Sequence, residues 1–159
     1  METLALLEIS LRERITLLET SNWVEDLNPR QIDQLAYYFK AYSAPVNTYI
    51  LREGDPSELF CLLCDGAVDI LKESGSGQKK ILQTLGAGKA FGEIAFFDHG
   101  TCSASIVAKK TSTLLIMDQE AFKKLCDEAS SLALQITLKV VHLLSQRLRH
   151  TTGKLIDLI

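Results

Sequence analysis

The chain has 159 residues, 47% of them apolar, and a net charge of −3. That length suits one folded domain with an extra helix or two, and that apolar share excludes a disordered tail. A mildly acidic balance gives no general case for nucleic-acid binding, whose surfaces are clearly basic.

The charge is unevenly spread. Residues 1–40 hold seven acids against four bases, whereas residues 134–159 hold Lys139, Arg147, Arg149 and Lys154 against Asp157 alone. A basic stretch of that size on a helix reads as a solvated face. No run approaches the ~20 apolar residues of a membrane span, and Glu2, Glu8, Arg12 and Glu13 interrupt any signal-peptide core. A cytoplasmic protein with no membrane association is expected, its four cysteines reduced.

In chain order, Leu4, Leu7, Leu11, Ile15 and Leu18 recur three or four apart, which predicts an amphipathic helix within residues 2–19. Asn28 can cap a second helix with Pro29 at its first position, and Ile32, Leu35, Ala36 and Phe39 form its inward stripe. From Pro45 the period shortens. PVNTYIL, LFCLLC, AVDILKE, KKILQTL, SIVAKK and STLLIMD are short strand-like runs, separated by turn signals at Gly54-Asp55-Pro56, Asp65-Gly66, Ser74 to Gly77, Gly86 and Gly88. Such spacing predicts an antiparallel jelly roll or β-roll. After Asp118 a short helix carries Phe122 and Leu125, and a longer one opens at Ser130-Ser131. On it Leu134, Leu138, Val141 and Leu148 recur near a 3.5-residue period, a narrow seam suited either to a second helix, and so to a homodimer, or to packing back on the chain's own roll. Gly153 is expected to end that helix. The fold class is therefore α+β, mainly β: an antiparallel β-roll flanked by N-terminal helices and a long C-terminal helix. The divisions expected are 1–24 (helical extension), 25–128 (roll with flanking helices) and 129–159 (last helix and tail). With no second domain expected after the last helix, direct DNA binding is not.

Cys61 and Cys64 form a C-x-x-C, but on a strand a spacing of three puts the two thiols on opposite faces. No second pair or nearby histidines complete a zinc site, so they read as core residues, and no metal or cofactor is called for.

The stretch KAFGEIAFF is different. Gly92 lets a ligand approach the backbone, and Glu93 to Phe97 can form a helical turn whose first amides seat an anion. The Glu93 carboxylate can accept from a sugar hydroxyl beside it. Ser103 and Ser105 would close the other wall. Sugar and phosphate together point to a nucleotide.

FGEIAFF followed by ASIVA resembles the phosphate-binding cassette of cyclic nucleotide-binding domains, found in bacterial catabolite activators, regulatory subunits of cyclic-AMP-dependent kinase and cyclic nucleotide-gated channels. VNTYILREGDPSELFCLLCDGAVDIL is similar to the family's early strands, LQTLGAGKAFGEIA to its lead-in, and LLSQRLRHTTGKL to its long last helix. The resemblance implies that Gly92, after Phe91, lays a cyclic phosphate on the amides of Ile94 and Ala95. It implies that Glu93 takes the ribose 2′-hydroxyl, that Ser103 is the small residue beside the family arginine, and that Ser105 falls on the Thr/Ser position that in some members favours cyclic GMP or tunes the base. The family pattern of arginine, small residue, alanine reads Cys102-Ser103-Ala104 here, placing Cys102 where the phosphate-binding arginine belongs. A charged hydrogen bond is worth about 1.5–3 kcal/mol, so its loss weakens binding roughly ten- to a hundred-fold. Lys89, His99 and Lys109 are the candidates for a replacement charge. Cys102 beside a helix start could instead be an acidified thiol, with His99 as its base.

An enzyme is not expected. Two functions follow from the resemblance. One is a stand-alone sensor of cyclic AMP, cyclic GMP or another small anion, acting through a protein partner or dimer by repositioning the helices after Asp118. The other is a degenerate domain that has shed the nucleotide and serves as a dimerisation or interaction module.

Overall fold

The computed structural model describes residues 3–159. Among them are nine strands and five α-helices, which fall into two compact units, one ending at Phe122 and the other covering Lys123–Ile159.

The first unit opens with a strand rather than a helix. β1 (Ala5–Leu7) pairs antiparallel with β2 (Lys40–Ala44), Leu7 opposite Ala41. Helix α1 (Leu11–Glu19) begins only where Ser10 caps it, in a box with Glu13 that satisfies two otherwise orphaned amides. The leucine spacing across residues 4–11 fits a helix equally well, but pairing with a distant strand decides those residues. α2 (Pro29–Ala36) follows the expected signals, with Asn28 and Gln31 forming the same box. Phe39 is buried just beyond its end.

The remaining strands are β3 (Tyr49–Leu51), β4 (Leu59–Asp65), β5 (Ala67–Glu73), β6 (Lys79–Gly86), β7 (Ala90–Phe91), β8 (Ser105–Ala108) and β9 (Ser112–Asp118). They build two antiparallel sheets, β1-β2-β9-β4-β7 and β3-β8-β5-β6. This is the jelly-roll arrangement anticipated from the alternating runs. Cys61 and Leu63 of β4 join Ile50, Leu51, Val68, Phe91, Ala95, Cys102, Ile106 and Leu114 in the core. Alternation turns Phe60 to the other face. There its ring meets Trp23 at 5.1 Å, Phe96 at 5.9 Å and Phe39 at 6.4 Å between centroids. β4 is thus buried on both faces, which is why LFCLLC reads as an unbroken apolar run.

Between β7 and β8 lies helix α3 (Glu93–Asp98), and helix α4 (Gln119–Glu128) follows β9. Phe96 and Phe97 of α3 pack edge-on against Phe122 of α4, each with centroids 5.4 Å away. The Gln119 side-chain amide donates to the Phe96 carbonyl.

The second unit is dominated by helix α5 (Ser130–Ile156). It runs through Gly153, which was expected to stop it. Glycine costs only about 1 kcal/mol inside a helix, and the cap that would use its freedom is not formed. Leu132, Ala133, Ile136 and Val140 are buried, whereas Leu134, Leu138, Val141 and Leu148 are between 52% and 68% exposed. No helix among the described residues is long and apolar enough to cross a membrane.

Candidate functional site

The site begins where β7 turns into α3. Phe91 pairs with Cys61 in the middle of β4, fixing the turn at the edge of the five-stranded sheet. Gly92 then takes a left-handed conformation, φ 84°. A Cβ placed on it would sit 2.5 Å from the Leu59 carbonyl oxygen and 3.2 Å from Leu51 Cδ1. No residue with a side chain fits there without displacing backbone. The first bond of the helical ladder runs from the Phe96 amide to the Gly92 carbonyl, 3.2 Å, so the amides of Glu93, Ile94 and Ala95 stand ahead of it. Glu93 is 2% exposed, Ala95 is buried, and Ile94 is 40% exposed. Burial, reinforced by the Glu93 carboxylate and by Cys102, pushes the Cys61 thiol far up, so it is a neutral core group.

The opposite wall is the segment Thr101–Ser105, and backbone bonds hold it. β3 and β8 pair with Leu51 opposite Ile106, and their alignment continues beyond the strands. The Cys102 amide donates to the Asp55 carbonyl at 2.8 Å, and the Gly54 amide donates to the Cys102 carbonyl at 2.9 Å. Pro56 bridges Thr101. The Ser105 hydroxyl accepts from the Glu53 amide at 2.9 Å. Lys72 adds a clamp: its ammonium lies 2.6 Å from a Glu53 carboxylate oxygen and donates to the Ser103 carbonyl at 2.6 Å. The Lys72 hydrogen bond, helped by the Glu73 amide, holds the Glu53 carboxyl below its ordinary value.

Against Cys102 and the residues of the β3–β4 connection lies a cavity of about 310 Å³ lined by Tyr49, Leu51, Arg52, Asp55, Ser57, Glu58, Leu59 and Cys102, with Ile50 and Pro56; none of Gly92, Glu93, Ile94 and Ala95 lines it. Of the residues singled out in the sequence, Cys102 lines it, and Gly92 abuts its Leu51 and Leu59 walls. Phe91 and Ala95 belong to the core behind. Ser103 is exposed, and the Ser105 hydroxyl is engaged by the turn. Lys109 faces Asp69 at 3.7 Å and Thr84 at 3.4 Å, while Lys89 and His99 are exposed, and none of the three lines the cavity. The basic residue in that lining is Arg52, which sequence reasoning passed over. The E-G-D-P turn was visible, but only the β3–β8 pairing reveals that it faces Cys102. Nor is Cys102 an acidified nucleophile. Burial raises its pKa, outweighing the lowering influence of the Ser57 hydroxyl and the Arg52 backbone.

Residues 43–129, more than half of the chain, match the cyclic nucleotide-binding domain family. The chain belongs to that family. A cyclic AMP receptor protein from Thermus thermophilus is 32% identical over 96 residues, covering 60% of this chain and 44% of that protein. Among solved structures, a cyclic nucleotide-binding domain from Methylobacillus flagellatus superimposes with a TM-score of 0.86 at 24% identity, covering 98% of this chain and 89% of that one. The regulatory subunit of a cAMP-independent protein kinase A from Trypanosoma brucei shares the fold, with a TM-score of 0.71 at 22% identity over 86% of this chain and 47% of that one. The chain spans about half the length of the curated bacterial relatives it matches. Within this cyclic nucleotide-binding domain, the cavity lies where the cassette start and the Cys102 segment approach the same turn.

Proposed function

We propose that this domain is a regulatory module rather than an enzyme. It senses a small anionic ligand, cyclic AMP or cyclic GMP in the first instance, and acts through a protein partner or a second copy of itself. One observation carries this reading: Gly92, at a position where no Cβ fits, abuts the Leu51 and Leu59 walls of a cavity that Cys102 also lines. A cyclic phosphate laid along Gly92 would meet the amides of Ile94 and Ala95, with Glu93 and the Ser103–Ser105 wall near the sugar. A route out of the cassette is at hand, since α3 is joined to the first turn of α4 through Gln119 and the Phe96, Phe97 and Phe122 rings.

A second reading is that the domain has lost the nucleotide and serves as an interaction module. Cys102 in place of a cation favours it, as does the exposed stripe of Leu134, Leu138, Val141 and Leu148 on α5, whose spacing suits a helix from a second copy. The trypanosome relative, part of a kinase described as cAMP-independent, lends it support.

Calorimetric titration with cyclic AMP and cyclic GMP separates the two. Saturable micromolar binding by the native chain is expected for a sensor, with a further ten- to hundred-fold gain in Cys102→Arg. Silence from the native chain with binding by the variant supports the interaction module. In that case the native chain should sediment as a dimer and Leu138→Glu as a monomer. Silence from both overturns the nucleotide reading.

A further inference from the structure

Cys102 leaves the cassette without its cation, yet the cavity beside it is not without one. Arg52 lines that cavity together with Cys102; it follows the last residue of β3 and precedes the turn whose Gly54 and Asp55 are bonded to the Cys102 backbone. The guanidinium is oriented. Its Cζ sits 4.1 Å from the centroid of the Tyr49 ring, a cation–π geometry that suits arginine's flat, weakly hydrated head. Tyr49 is itself held, because Lys79 donates to its hydroxyl at 3.1 Å. A guanidinium on an aromatic platform stays charged at every working pH and presents paired N–H groups that match two phosphate oxygens.

We propose that Arg52 replaces the missing cassette arginine: reaching from the end of β3, it pairs with the single negative charge of a cyclic nucleotide's phosphate in this cavity. This rests on the sensor reading given above. The other charged residues of the lining, Asp55 and Glu58, cannot serve a phosphate but can accept from ribose hydroxyls or a base amine. One cation, two carboxylates, an aromatic ring and apolar walls therefore suit a monoanion that carries its own hydrogen-bond donors. A dianionic free phosphate would meet two carboxylates with one partner. Because Cys102 is bonded through both its amide and its carbonyl to the turn that follows Arg52, the charge can move between these two positions without altering the backbone path.

The test is titration of the full-length chain and of Arg52→Gln with cyclic AMP, cyclic GMP and adenosine, whose neutral form lacks the phosphate. Arg52→Gln should weaken cyclic nucleotide binding ten- to a hundred-fold while leaving adenosine binding unchanged. Lys109→Gln, whose partners Asp69 and Thr84 lie outside the cavity lining, should bind as the native chain does. Should Arg52→Gln not fold, phenylglyoxal labelling of the native chain gives the same answer. Cyclic nucleotide should shield Arg52 from modification, read by mass spectrometry, and adenosine should not. Native binding with unchanged affinity in Arg52→Gln, or with Arg52 unshielded, overturns this inference and leaves the sensor reading intact. Absence of binding by the native chain overturns both.

Discussion

Phe91–Ala95 and Cys102–Ser105 are the two halves of one motif, and different forces hold them. The first half is fixed by packing. Phe91 and Ala95 are core residues, and Gly92 has backbone pressed against the place where a Cβ would be. The second half is fixed by hydrogen bonds from its backbone and from Ser105 to the β3–β4 turn. Packing constrains the identity of a side chain. Backbone bonds leave it open. At Cys102 those bonds use backbone atoms alone, while its side chain is buried with the core.

Substitutions should separate the two. Gly92→Ala is the largest. Positive φ costs an L-residue about 1–3 kcal/mol, and forcing a methyl against the Leu59 carbonyl adds a comparable strain, so a loss of about 2–4 kcal/mol in denaturant unfolding is expected. A loss under about 0.5 kcal/mol would show that the packing half yields readily. Ser105→Ala should cost less, about 1–2 kcal/mol, because it strands the Glu53 amide in a partly buried site without opening a large void. If it costs as much as Gly92→Ala, the second half is held by packing too.

The smallest effect is electrostatic. The Glu53 carboxyl is held below its ordinary value by the Lys72 hydrogen bond. Its contribution is therefore fully present above the unfolded carboxylate pKa and is lost as the pH falls through the lowered folded value. Lys72→Met should shrink the fall in melting temperature between about pH 6 and about pH 3 without removing it, since Glu13 is held down in the same direction by Ser10. An unchanged acid limb would mean that the clamp contributes nothing.

Much of this was legible from residues alone. The unbroken LFCLLC run announced a strand buried on both faces, and Asn28-Pro29 marked the start of α2. FGEIAFF showed where the chain turns from β7 into α3. The failures are all non-local. β1 looked helical because leucines spaced three and four apart fit either structure until β2 supplies a partner. Arg52 drew no attention because its place beside Cys102 depends on which strand neighbours β3, and that strand lies some fifty residues away in the chain. The seam on α5 was legible as a pattern, and the structure adds that Leu134, Leu138, Val141 and Leu148 are exposed while Leu132, Ala133, Ile136 and Val140 are buried.

The paired backbone bonds at Cys102 have a consequence for how such a domain diversifies. Neither the bond it donates to Asp55 nor the one it accepts from Gly54 involves its side chain, so both bonds survive a replacement that turns into the adjoining cavity and leaves the core around Cys102 filled. Ligand chemistry and foldability at this position are then separable traits. A lineage can exchange one for a new version without risking the other.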